Sequence, residues 1–263
     1  MNSRKVYISL TIVITLCLLT GCDQGEGSAD AALQAPDPGT ISAAVADGEA
    51  LFKQREDVGK LREAIATLNR VRSGHKRVFE LEWRFASYNY FLGKQSADKK
   101  EAKTAFSDGR DAGETAAKLD PTRPEGHFWY GANLGELARM DMLSGVKFIG
   151  DIRTSMTRVL EIDPGYQKCS AYDALAQVEL ETRLTGGSAE KAAELLEKAV
   201  AIERQNASLN LHLASAYFAL KRENDARRQL ETIVQMKPDP DYVIEYRESL
   251  SEAKRLLATR FSS

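Results

Sequence analysis

The sequence predicts an all-α chain of stacked antiparallel helix pairs. Three observations carry this expectation. Beyond residue 40 the apolar residues recur at helical spacing, with no alternating run that would make a strand. A helix–turn–helix unit recurs along the chain, and the units end on proline, at Pro121, Pro164 and Pro238. The chain of 263 residues is also long enough for a signal segment, a linker and one domain with a sizeable core.

The elements run as follows. "MNSRK" is a short basic start, and "VYISLTIVITLCLL" is an apolar stretch too short to span a bilayer comfortably. It closes on "LTGC", the lipobox of bacterial lipoproteins, so residues 1–21 read as a signal peptide and Cys22 as the lipidated residue. The expected location is the bacterial cell envelope, anchored by the acyl chains on Cys22 and facing the periplasm. Asp23 follows the lipidated cysteine, which in enteric bacteria favours the inner membrane; inner and outer membrane both stay open. Residues 22–40, "CDQGEGSADAALQAPDPGT", are poor in large apolar groups and read as a flexible tether. Residues 41–263 are the predicted helical domain.

Within it, "ASLNLHLASAYFALKRENDARRQLETIVQMKPDP" places Leu213, Ala214, Tyr217, Ala226, Leu230, Ile233 and Pro238 at the spacing of one 34-residue tetratricopeptide repeat. Leu213, Ala214 and Tyr217 line one stripe of a first helix. Ala226 and Leu230 line the second, and the small residues let the two close tightly. "AAKLDP" and "RVLEIDP" repeat the ending, "EAIATLNRV" and "KAAELLEKAVAIE" supply further second helices, and Arg204 stands where a proline is usual. Five helical pairs and a closing helix near Pro240 to Arg260 account for the domain. Stacked in this way they form a right-handed superhelix whose first helices line a concave surface.

The third pair breaks the pattern. "RPEGHFWYGANLGELARM" carries Gly131 and Gly135 one turn apart, each costing about 1 kcal/mol against alanine in a helix. Gly131 occupies the small position on which the paired helix rests. Gly135 has no such role, and it removes side-chain volume on the side of Phe128 and Ala132, where a groove is expected. From Gly131 to Ile152 there are also 21 steps, against 12 from Ala214 to Ala226. The extra residues, "RMDMLSGVKFIG", are apolar and flexible where a surface loop would be polar. They read either as a helix extension filling a gap or as a wall over an internal apolar cavity.

Catalytic chemistry finds no constellation. His75, His127 and His212 lack metal spacing. After Cys17 and Cys22 are assigned to the leader and the anchor, Cys169 is a lone thiol that forms no internal disulfide. The formal charge of −2, taken to about −4 by loss of Arg4 and Lys5 with the leader, gives no support for nucleic-acid binding. The expectation is a binding protein, not an enzyme, with no cofactor. Its candidate ligand or partner residues are His127, Phe128, Trp129, Asn133, Gly135, Arg139, Lys147, Ile149, Arg153 and Tyr172. Arg139, Lys147 and Arg153 would recognise an anion if they point inward; on most helices such residues are solvated.

The lipobox, the irregular repeats, "PEGHFWYGANLGELARM" and "IGDIRTSMTRVLEIDPGY" together resemble the T component of TRAP (tripartite ATP-independent periplasmic) transporters, the TatT lipoprotein family. The resemblance runs over most of the domain, from about Ala43 to Leu257. It implies a periplasm-facing lipoprotein that associates as a trimer and partners the extracytoplasmic solute-binding protein of the transporter. It also implies a cavity suited to a hydrophobic or amphipathic small molecule. The alternative expectation is a repeat scaffold for envelope assembly, serving outer-membrane barrel or pilus biogenesis.

Overall fold

The computed structural model describes residues 37–72, 76–141 and 145–261. The signal peptide, Cys22, most of the tether, His75 and the Met142–Leu143 part of the insert lie outside them. Among the described residues eleven α-helices follow one another: α1 (Pro38–Phe52), α2 (Val58–Val71), α3 (Phe79–Gln95), α4 (Lys99–Leu119), α5 (Pro124–Met140), α6 (Ile149–Ile162), α7 (Tyr166–Glu181), α8 (Ala189–Ile202), α9 (Ala207–Ala219), α10 (Glu223–Gln235) and α11 (Val243–Arg260). No strand occurs among the described residues, and none of their helices is long and apolar enough to cross a membrane.

Local chemistry sets the boundaries. Asp57, Asp98, Ser188 and Asn206 each accept a hydrogen bond from a backbone N–H of the first turn that follows, satisfying donors that a helix start leaves open. Pro38 and Pro124 stand at helix starts, where the missing N–H costs nothing. Asp37 caps α1, so the helix begins three residues before position 41, inside the stretch that composition alone assigns to the tether. Pro121, Pro164 and Pro238 follow the ends of α4, α6 and α10. At Arg204 the proline is missing, yet α8 still stops at Ile202, and Asn206 starts α9 by accepting from the N–H groups of Ser208 and Leu209.

The pairs α1–α2, α3–α4, α5–α6, α7–α8 and α9–α10 pack internally, and each second helix packs on the first helix of the next pair. The first helices and α11 also touch in sequence, so α1, α3, α5, α7, α9 and α11 form one inner wall. One core cluster, with Leu61, Leu68, Leu81, Trp129, Met156 and Val159 fully buried, serves the pairs up to α7. A second, around Leu196, Leu209, Leu213, Leu230 and Ile233, serves α7 to α11. Between α4 and α5 the backbones themselves meet: a methyl group at Gly113 would strike the Tyr130 backbone, and one at Gly126 the backbone of Ala117.

Two features have no counterpart in the repeat pattern. Glu82 is wholly buried and is held by Arg72 at 2.8 Å and Arg77 at 3.0 Å. At the start of α7, Gln167, Lys168 and Cys169 are left-handed, with φ of 49°, 55° and 65°. Such a conformation costs roughly 1–2 kcal/mol per non-glycine residue. Partners from the C-terminal half hold it: Asn206 donates to the Lys168 carbonyl at 3.1 Å, and the Lys168 ammonium lies 3.5 Å from Asp239.

Candidate functional site in the inner wall

The inner wall carries a ladder of polar side chains contributed by four first helices. On α3, Lys94 Nζ lies 3.4 Å from Glu136 Oε1 of α5. Arg139, one turn after Glu136, donates from Nη1 to the same Glu136 at 3.1 Å and from Nε to Glu181 of α7 at 3.2 Å. Its Nη2 donates to Gln177 Oε1. Gln177 Nε2 in turn donates to Asp173 at 2.9 Å, and Asp173 accepts from His212 Nδ1 of α9 at 2.6 Å. Asp173, Gln177 and Glu181 stand four residues apart, which places them on one stripe of α7.

The electrostatics of this wall are those of a recess. Burial pushes the Tyr90 phenol well above the usual tyrosine range, with Glu136 adding to the effect and Arg139 opposing it. Burial alone would lower the pKa of His212, but the Asp173 carboxylate outweighs it and the imidazole is raised. Beside the ladder, on the same turn as Glu136, Gly135 is half-buried, and a methyl group there would meet no atom within 4 Å. Gly131 is different: its added carbon would sit 2.8 Å from Met156 Cε of α6, so it is the contact on which the paired helix rests.

Two families match by sequence. Tetratricopeptide repeat matches residues 183–243, and Regulator of microtubule dynamics protein 1-3 matches residues 45–172. Among solved structures the chain is similar to TTC0263, a thermophilic TPR protein of Thermus thermophilus, at 18% identity and a TM-score of 0.58, covering 80% of this chain and 99% of that one. It is also similar to Pseudomonas aeruginosa PilF, at 16% identity and a TM-score of 0.53, covering 86% and 94%. No curated protein matches. The fold is a tetratricopeptide-like superhelix.

In that tetratricopeptide-like frame the predicted site residues separate. Only Gly135 and Arg139 stand at the ladder. Phe128 and Trp129 are buried: Trp129 lies 5.5 Å from Tyr90 and 5.9 Å from Phe91, and Phe128 is edge-on to Trp129 and to Tyr166. Asn133 is buried too, donating to the carbonyls of Ala86 at 3.2 Å and Trp129 at 2.7 Å, so it binds α5 to α3. His127 Nε2 lies 3.1 Å from the Pro121 carbonyl and steadies the turn before its own helix. Arg153 reaches across to Glu179, a buried carboxylate that Lys191 and the Ser188 N–H also hold, which knots α6, α7 and α8. Tyr172 packs half-buried on the second core.

The described part of the insert in the third repeat packs at Gly145, Phe148 and Ile149 only. Gly145 is buried against the Ala138 backbone, and Phe148 lies on Ala102, Phe106 and Leu137 of α4 and α5. Ile149 joins the first core, whereas Lys147 points outward and Val146 is 67% exposed. These residues cover the α4–α5 contact. The residues that sequence reading missed are Lys94, Glu136, Asp173, Gln177, Glu181 and His212. The four-residue spacing of Asp173, Gln177 and Glu181 was the available signal, but their partners come from helices far away in sequence.

Proposed function

We propose that this chain is a tetratricopeptide-like scaffold of the bacterial envelope that holds an extended segment of a protein partner along its inner wall. The observation that carries the reading is the ladder from Lys94 to His212 beside the hollow at Gly135. Side chains from four helices offer donors and acceptors along one wall, and a helix position has been left without a side chain next to them. Donors and acceptors of both kinds suit the amides of a polypeptide better than they suit a purely apolar guest. The imidazole–carboxylate pair there, His212 with Asp173, is taken up in the ladder's own hydrogen bonds, so the mechanism is read as equilibrium binding. The tetratricopeptide-like fold shared with TTC0263 and PilF supports a scaffold, and the lipobox ending at Cys22 is what would anchor it in the envelope, where it would serve pilus or outer-membrane barrel biogenesis.

A second reading follows from the hollow itself. In a T component of a TRAP system the partner is the solute-binding protein, the chain associates as a trimer, and the space beside Gly135 shelters part of a hydrophobic or amphipathic solute.

The test is photocrosslinking in the native envelope, from a benzophenone side chain placed at position 136, with Gly135→Trp as the blocked control. A crosslinked protein lost in the blocked variant is expected, and mass spectrometry of the adduct separates an assembly factor from a solute-binding protein. An unchanged adduct pattern in Gly135→Trp, with the fold intact by circular dichroism, overturns the groove reading.

A further inference from the structure

A cavity of about 560 Å³ opens at the end of the inner wall, between the last turns of α7 and α9 and the end of α11. Leu180, Phe218 and Ala219 give it an apolar floor, while Glu181, Arg183 and Arg260 stand around it. The charges there do not cancel. Glu181 is already taken by Arg139. Arg260 lies 4.2 Å over the Phe218 ring and meets Glu223 only at 3.6 Å, in an exposed pair. Arg183 donates Nε to the Leu180 carbonyl, and its terminal nitrogens meet no carboxylate among the described residues. A guanidinium lying over an aromatic ring can still donate from two nitrogens to a carboxylate. Beside the rim, in the short turn Arg183–Thr185, Leu184 is completely exposed.

We infer that this cavity is a subsite for a large apolar side chain flanked by carboxylates, presented by the partner protein whose main chain lies along the ladder. This inference rests on the groove reading above. The floor takes the apolar group, Leu184 adds contact at the rim, and Arg183 and Arg260 take the flanking acids. A protein segment is the occupant because the cavity runs into the ladder through Glu181, and Ser215 lies one turn beyond His212 on α9. A small anionic amphiphile would fill the cavity and leave Gln177, Asp173 and His212 unused.

The probes are three fluorescein-labelled decapeptides of one Gly-Ser frame, carrying a central Asp-Trp-Asp, Lys-Trp-Lys or Asp-Ser-Asp, read by fluorescence anisotropy. Asp-Trp-Asp is expected to bind at least tenfold more tightly than the other two, with affinity falling as salt rises. Arg183→Glu with Arg260→Glu is expected to erase that preference while thermal melting stays within a few degrees of wild type. Equal binding of the first two peptides, or a preference that survives the double variant, overturns the subsite. If binding without preference is lost in Gly135→Trp, the groove stands and only the subsite falls. Absence of binding by all three overturns the subsite, and the crosslinking experiment decides the groove separately.

Discussion

His212 Nδ1 lies 2.6 Å from Asp173 Oδ1, so one imidazole–carboxylate contact joins α9 to α7 across the inner wall. Glu181 on α7 reinforces the positive charge on the ring, Arg139 on α5 opposes it, and Gln177 shares the Asp173 carboxylate. Burial works against the imidazolium and Asp173 outweighs it, so the folded-state pKa is raised above the unfolded value of about 6.5. The stabilisation is therefore complete below about pH 6.5 and is lost as pH rises through the higher folded-state value. Wild type should exceed Asp173→Asn by about 1 kcal/mol at pH 5.5, or about 2–4 °C in Tm, for a partly exposed pair in a domain of this size. The gap should be smaller at pH 8.5. Melting curves at the two pH values check it, and a gap that widens with pH contradicts the assignment.

Glu82 carries a different kind of charge pair. It is wholly inside, and Arg72 and Arg77 both depend on it. Glu82→Gln leaves two guanidinium groups facing a neutral amide, and removing one partner of a buried pair typically costs about 3–5 kcal/mol. Urea denaturation should show the loss as a lower midpoint with an unchanged slope. By contrast Lys60→Ala, which breaks an exposed pair with Glu63, should leave the midpoint almost unchanged.

How far the sequence speaks depends on whether a feature is local. Helix pairing was legible because Leu213, Ala214, Tyr217, Ala226 and Leu230 carry their spacing within one unit, and each of them is buried in the structure. Gly131 was legible for the same reason. Asn133 and Trp129 look like binding groups in the sequence because their chemistry is polar or amphipathic, yet their helix face turns them toward α3. The ladder was not legible. His212 is 39 positions from Asp173, and no single-helix pattern joins them. The left-handed turn left no trace at all, since glutamine, lysine and cysteine have no preference for that conformation.

That turn makes a sign-reversing prediction. Glycine adopts positive φ without the steric cost paid by Gln167 at 49°. Gln167→Gly should therefore stabilise the domain by about 0.5–1 kcal/mol, after allowance for the greater freedom of glycine in the unfolded chain. Ala174→Gly, seven residues on in the right-handed part of the same helix, should destabilise it by about 1 kcal/mol. Paired chemical denaturation of the two variants checks the contrast. Destabilisation by both would mean that the left-handed turn is absent in solution.

The contrast between Gly113 and Gly135 tests whether position 135 is kept empty for folding or for use. At Gly113 a methyl group collides with the Tyr130 backbone, which cannot step aside, so Gly113→Ala should cost about 1–3 kcal/mol. At Gly135 the same methyl group meets nothing, and helix propensity alone operates, so Gly135→Ala should gain about 0.5–1 kcal/mol. On the groove reading proposed above, that space is kept for a contact that the folded monomer does not make. Melting temperatures of both variants decide between the two. A loss of stability in Gly135→Ala comparable to that in Gly113→Ala would return the glycine to packing and remove the hollow from the binding argument.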